Sequence, residues 1–142
     1  MNLEVKRVDS EDEWESYHAI REQVLWNARG RTGSYDRDHP EERKPGHYPL
    51  ILLRDGETLA VVRVDVEPPV AWFRLVAVRE DEQRHGYGRY LLESAERFAV
   101  AQGCTCLRSN VDHNALGFYL RLGFQQRTGE NSETSIPMEK HL

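Results

Sequence analysis

Apolar and polar positions alternate over residues 2–8, with Leu3 and Val5 set against Glu4 and Lys6, which is the period-two pattern of a first strand. The period then changes. Ser10 stands three residues before Glu13, the sequence form of a capping box, and Trp14, Tyr17, Ile20, Arg21, Val24 and Leu25 follow at helical spacing. The spacing predicts a helix over residues 11–26. Residues 27–49 have no period and are rich in Gly, Pro, Arg, Asp and His; loops of that length are functional or disordered. Two β-rich runs, residues 50–53 and 58–66, flank the turn pair Asp55-Gly56 and predict a hairpin. After Pro68-Pro69 the run AWFRLVAV, residues 71–78, is almost continuously apolar, as expected of a strand covered on both faces.

The clearest helical stripe, Tyr87, Leu91, Ala95 and Phe98, predicts a helix over residues 86–102, with Gly103 at its C-terminal stop. A strand over 104–111, a short helix over 112–122 ended by Gly123, and a closing hairpin of 124–128 and 135–139 around a polar turn complete the chain. The predicted architecture is α/β (α+β): a mixed sheet of six to seven strands with helices packed on it, without internal repeats.

With 142 residues the chain is expected to form one domain, residues 1–142, able to bury a core without disulfide or metal staples. Its 39% hydrophobic and 30% charged residues exclude disordered and fibrous classes. Nineteen Lys and Arg against twenty-four Asp and Glu give a net charge of −5, which argues against nucleic acid or an anionic membrane as main partner. No apolar window reaches the ~18 residues of a membrane span, and the N-terminus lacks a secretory profile, so a cytoplasmic location is expected. Cys104 and Cys106 read as reduced thiols, with no second pair to make a zinc site; no metal is expected.

One segment changes the picture. Gln83, Arg84, His85, Gly86, Tyr87, Gly88 and Arg89 lie between the apolar strand and the long helix. Glycines let backbone N–H groups approach a ligand, and a helix start adds unpaired donors and partial positive charge, together an anion cradle. Arg84, His85 and Arg89 make this patch cationic in an acidic protein, so phosphate is the natural guest. A nucleotide P-loop would need Lys followed by Ser or Thr where Arg89-Tyr90 stands, and a dinucleotide fold would need a third glycine. The plain alternative is a glycine-softened helix start with no ligand.

Taken with the strand LVAV and the later run NALGFYLRLGF (residues 114–124), the QRHGYGRYLL segment resembles the GNAT N-acetyltransferase superfamily. The resemblance covers residues 74–124 closely and the rest by element order. It implies a GNAT-type, mostly antiparallel sheet with helices on both faces. It also implies that acetyl-coenzyme A is the cosubstrate, its pyrophosphate held by the backbone of Gln83 to Arg89 and its pantetheine arm paired with Val76, Ala77 and Val78. A pantetheine chain carries two amides and behaves like a short strand, which splayed strands can accept. The Val78 N–H then polarises the thioester carbonyl. Tyr119 is implied as the general acid for the departing thiolate, because a phenol stays protonated at neutral pH; as a helix aromatic it can equally be core. Phe118, its neighbour, points about 100° away and can fill core or face the cofactor. Asn114 is the cofactor-side candidate at the next helix start, with Asp112 read as the helix cap.

Two departures stand out. Residues 79–82, Arg-Glu-Asp-Glu, replace a stretch where proline is common, which predicts a looser turn. Trp72 occupies the strand position where family members often carry a basic carboxylate, so the base is sought in Asp65 or Glu67, whose alternative reading is a solvated strand edge. Tyr35, His39, His47, Tyr48 and Arg21 are expected to shape the acceptor pocket, with His39 or His47 as alternative bases.

The function expected is acetyl transfer from acetyl-coenzyme A to a primary amine of a small molecule or peptide by direct attack, since no cysteine stands beside a base to form an acyl-enzyme. The competing reading is a non-catalytic acyl-coenzyme A sensor or scaffold, kept open by Trp72; a nucleotide-binding domain is disfavoured by the missing lysine. The acceptor stays open among polyamines, amino acids, aminoglycosides, protein N-termini and lysines. Whether the protein is a homodimer is not set by the sequence.

Overall fold

The computed structural model describes residues 2–128 and 134–142, so most of the polar turn expected between the last two strands lies outside the described residues. Seven strands form one sheet: β1 (Leu3–Arg7), β2 (His47–Arg54), β3 (Glu57–Glu67), β4 (Val70–Val78), β5 (Cys106–Val111), β6 (Gln125–Gln126) and β7 (Ile136–His141). Their spatial order is β1-β2-β3-β4-β5-β7-β6, and every pairing is antiparallel except β4 with β5. The mixed, mostly antiparallel sheet expected from the sequence is therefore present, with β7 inserted between β5 and β6.

Helix α1 (Glu11–Arg21) begins at the capping box: the Ser10 hydroxyl accepts from the Glu13 N–H at 3.1 Å, and the Glu13 carboxylate accepts from the Ser10 N–H at 3.1 Å. Its predicted continuation to Trp26 is helical but changes winding, Glu22–Trp26 forming a π turn. Such turns displace side chains from the helical register and recur at functional sites. Tyr17, Ile20 and Leu25 pack with Ile51, Leu53, Val61 and Ala77 on one face of the sheet. The opposite face carries the larger core, where Leu91, Leu92, Ala95 and Ala99 of α2 (Tyr87–Ala101) and Tyr119 of α3 (Leu116–Arg121) meet Leu50, Leu52, Val62, Val64 and Phe73.

Three expectations are corrected. Strand β2 starts at His47, inside the supposed loop, because His47 pairs with Asp65 and extends the hairpin. The segment 112–122 is a 3-10 turn, His113–Ala115, followed by α3, so α3 is shorter than expected. Strand β4 is not covered on both faces: Leu75 is 36% exposed.

Leu75 also has φ +54, a left-handed conformation that costs an L-residue about 1–2 kcal/mol. The β3–β4 register slips between Val61 and Arg63, so β4 carries one extra residue there, a β-bulge. Its effect is visible in side-chain parity. Ala71 and Phe73 face the larger core before the bulge; after it Val76 and Val78 take that side and Ala77 turns to the α1 side. The parallel pairing of β4 with β5 covers only Val70, Ala71 and Trp72, opposite Cys106, Leu107 and Arg108. From there on the two strands part.

Ser10→Ala, which removes half of the capping box, is expected to cost about 1 kcal/mol of folding free energy. Urea unfolding checks this; an unchanged midpoint would show that the box does not hold the start of α1.

Candidate functional site

The parting of β4 and β5 opens a cleft of about 1230 Å³, lined by both strand ends, the start of α2, α3 and the π turn after α1. Backbone alternation fixes what β4 presents to it. The Arg79 N–H donates to the Leu59 carbonyl of β3 at 2.8 Å, so the amide of Val78, one residue earlier, turns away from β3 towards the gap. The Val78 carbonyl there accepts the Gln83 side-chain amide at 2.9 Å, which ties the glycine turn to the end of β4.

The turn has an unusual backbone. Arg84 has φ +67 and Gly86 φ +85, and Gly86 is the N-cap of α2 without a capping side chain. The first N–H groups of α2 are therefore left to a ligand or solvent, in a concave run of amides suited to an anion. A Cβ at Gly88 would sit 3.4 Å from both Phe118 and Val78. Its absence keeps a gap between the helix start, β4 and α3.

Val76, Ala77 and Val78 line the cleft, as do Gln83, Arg84, Gly86, Tyr87, Gly88 and Arg89. Asn114, Phe118, Tyr119 and Asp65 line it too. His85 does not; its ring stacks at 6.2 Å on Tyr87. The Tyr87 hydroxyl accepts from Arg54 at 3.2 Å, so its side chain belongs to the core beneath the turn. The acidic stretch before the turn is clamped rather than loose: Arg54 holds Glu82 at 2.7 and 3.0 Å, and Arg79 holds Asp81 and Glu57. These guanidiniums hold the Glu82 and Asp81 carboxyls below their ordinary range.

Tyr119 is 5% exposed and sits edge-on to Phe118 and Phe124. Its hydroxyl contacts Ser109, whose own hydroxyl donates to the Phe73 carbonyl at 3.0 Å, where β4 and β5 begin to part. Burial pushes the phenol up to about 12, so it carries its proton throughout the neutral range.

The acceptor-side expectations fare differently. Asp112 does not cap with its side chain but pairs with Arg29, a residue of the long segment after α1. His39, Tyr35, Tyr48 and Arg21 lie off the cleft wall: His39 accepts from the Glu41 N–H, Tyr35 bonds His18, Tyr48 packs on Phe98, and Arg21 is buried. Glu67 is exposed at the end of β3 and does not reach the cleft. His47 reaches Asp65, 3.5 Å away, rather than the cavity. In their place Trp26, Arg29, Arg31 and Glu41 form that wall.

Sequence reasoning missed a chain of alternating charge beneath it. Arg63 and Asp65 continue the row of Val61 on the α1 face of β3, where apolar packing gives way to ions. Arg21 bonds Glu42, whose other oxygen accepts from Tyr17 at 3.1 Å and lies 3.7 Å from Arg63. Arg63 grips Asp65 through two bonds of 2.7 and 3.0 Å, and Arg74 lies 3.5 Å beyond. The signal available was Arg21 interrupting an apolar stripe, but its partner Glu42 comes from the aperiodic segment. Among the described residues Cys106, Glu139 and His141 bring metal-type donors within 4.8 Å of one another, but none lines the cleft, and Glu139 is also paired with Arg108 and Arg127. No helix among the described residues is long and apolar enough to cross a membrane.

Comparison with known proteins agrees with this geometry. The model of the Acetyltransferase (GNAT) family matches residues 10–124. A Bacillus subtilis protein provisionally described as an acetyltransferase is 20% identical over 135 residues, 95% of this chain and 92% of its own. The fold matches that of a Lactobacillus plantarum protein provisionally described as an N-acetyltransferase, with TM-score 0.84 and 24% identity over 100% of this chain and 99% of the other. It also matches PaiA N-acetyltransferase of Thermoplasma acidophilum, a structure in complex with coenzyme A, with TM-score 0.79 and 15% identity over 100% of both chains.

Arg21 and Glu42 are 2% and 5% exposed, so removing one partner leaves a buried charge uncompensated. Glu42→Ala is expected to destabilise the fold by about 3–5 kcal/mol, read by denaturant unfolding. A loss under ~1 kcal/mol, the range of an exposed pair, would contradict the buried chain.

Proposed function

The chain belongs to the GNAT acetyltransferase family, and from that premise we propose that it is an N-acetyltransferase, residues 1–142 acting as one domain that moves an acetyl group from acetyl-coenzyme A to a primary amine by direct attack. The observation that carries this reading is the continuity of one cleft from the uncapped start of α2, along the Val78 amide, to the buried Tyr119.

In this reading the backbone N–H groups at residues 84–88 hold the pyrophosphate, with countercharge from Arg84 and from Arg89, which also pairs with Glu93 at 2.8 Å. In the stretch Val76, Ala77 and Val78, the main-chain groups of Val76 and Val78, which alternate away from β3, pair with the pantetheine amides as a partner strand would, while those of Ala77 stay with β3, and Asn114 and Phe118 border the arm from the α3 side. The Val78 N–H, aimed into the gap, donates to the thioester oxygen as negative charge grows there. As the amine nitrogen bonds to the acyl carbon the carbon–sulfur bond breaks. Tyr119 gives its proton to the departing thiolate and regains one from solvent. The proton lost by the amine passes to Asp65 through water, since both Asp65 oxygens already accept bonds from Arg63. Trp72 does not need to supply a base.

A second reading, a module that binds acyl-coenzyme A without turnover, shares the turn and the splay but assigns Tyr119 to packing; its edge-on contacts with Phe118 and Phe124 favour it to that extent. One experiment separates the two. Acetyl-coenzyme A at about a hundred times its dissociation constant should stabilise the fold by about 2.7 kcal/mol in thermal unfolding, and ATP or NAD should not. Tyr119→Phe should leave that shift intact while lowering thiol release with a mixed amine pool by roughly 10²–10⁴-fold. Binding without turnover in either protein would favour the module, turnover that Tyr119→Phe leaves unchanged would take Tyr119 out of the mechanism, and no binding would defeat both readings.

A further inference from the structure

The wall opposite the glycine turn holds four guanidiniums, Arg29, Arg31, Arg63 and Arg74, against the carboxylates of Glu41, Asp65 and Asp112. A cationic wall is unexpected in a protein of net charge −5. Most of these charges are accounted for. Arg29 pairs with Asp112, and Arg63 is held between Asp65 and Glu42. Glu41 has only loose partners, Lys44 and His47, each at 4.0 Å. Two cations remain available. Arg31 makes no ion pair among the described residues, and Arg74 has one contact of 3.5 Å, to Asp65.

Arg74 is also prepared for a partner. Its guanidinium carbon lies 4.3 Å from the centre of the Trp72 ring, within cation–π range, and 36% of its side chain is exposed on the cleft wall. It ends the charge chain that begins at Arg21, a sequence of three guanidiniums and two carboxylates whose surplus positive charge is thereby left at the open end. A stacked, planar, partly desolvated guanidinium with unused donors matches a carboxylate, which it can grip through two parallel bonds. Positive charge around the acceptor also favours the neutral amine over the ammonium, so a polyamine or a lysine-rich surface would be repelled from the place where it must react.

From this we infer that the acceptor is a small amine bearing a carboxylate, and that Arg74, with Arg31, binds that carboxylate and sets acceptor specificity. The inference rests on the acetyl-transfer reading and narrows it to a substrate class. It also explains Trp72, because an aromatic face orients an arginine where a basic side chain is missing.

The test uses the intact protein with acetyl-coenzyme A and matched acceptors: L-amino acids, ω-amino acids of increasing chain length, the carboxamide of each, and spermidine, with acetylated product read by mass spectrometry. Transfer should be confined to the carboxylate members. For the best of them Arg74→Gln should raise KM about ten-fold or more, the range of a lost charge-assisted bond, with a much smaller change in kcat, and should close the gap between acid and amide. Arg74→Lys should recover part of the loss. Arg31→Gln, at a position exposed to solvent, gives a second reading if Arg74→Gln lowers the melting temperature. Equal or better use of amides or spermidine, or equal losses for acid and amide in both variants, would overturn the inference while leaving the parent reading in place, whereas acetyl-coenzyme A binding with no transfer to any acceptor would overturn the inference and favour the non-catalytic module. Failure to bind acetyl-coenzyme A would defeat both.

Discussion

Strand β4 pairs with β5 only as far as Trp72 and, just beyond that point, absorbs an extra residue at Leu75. The bulge reverses the parity of the strand, and past it the main-chain groups of Val78 have no strand partner on the β5 side. Unpaired backbone in a sheet interior is costly, so it persists only where something else satisfies it. Here the Gln83 side chain takes the Val78 carbonyl, and the opened edge faces a cavity. A left-handed leucine, costing about 1–2 kcal/mol, is the local strain that sustains this opening, and such strain is characteristic of functional positions. The glycine turn, α2 and α3 are arranged around the gap between β4 and β5 that the bulged end of β4 borders.

Legibility in the sequence follows the range of the interactions. The capping box, the Asp55-Gly56 hairpin and the glycine stops at Gly103 and Gly123 are decided within a few residues, and each is present. The turn from Gln83 to Arg89 is readable because glycine marks the backbone freedom that Gly86 uses. The bulge is not, since nothing in AWFRLVAV announces that a leucine adopts φ +54; the irregularity belongs to the pairing of β4 with β3. The start of β2 at His47 was hidden by Pro49 and by the polar residues around it, whose pairing with β3 is a tertiary fact. The acceptor wall is illegible for the same reason: the aromatic and histidine residues of the long segment point to a pocket, whereas Arg29 and Arg31 are the ones of its side chains that, with Glu41, reach the cleft.

Electrostatics divides the molecule against its average. The acidic excess lies mostly on exposed positions, where ion pairs with solvent-accessible partners contribute little. Inside, from α1 to the cleft, guanidiniums and carboxylates alternate in near contact, and the chain ends in a cation. At the other end of the cleft Arg84 and Arg89 flank the uncapped helix start. The cavity is thus cationic at both ends and apolar between, along Val76, Val78 and Phe118. That distribution suits a long ligand with anionic phosphates, an amide-bearing middle and a reactive end that meets a second, anionic molecule.

The proposed function hinges on β4 offering the backbone of its last residues to a ligand that completes the sheet. Amide hydrogen exchange at Val76, Ala77 and Val78, followed by NMR with and without acetyl-coenzyme A, is the decisive experiment. The Val78 amide should exchange freely in the unliganded protein and become protected when the ligand saturates, while Arg79, already bonded to Leu59, should not change. Saturation with no added protection at Val78 would show that the strand end is not where the ligand binds.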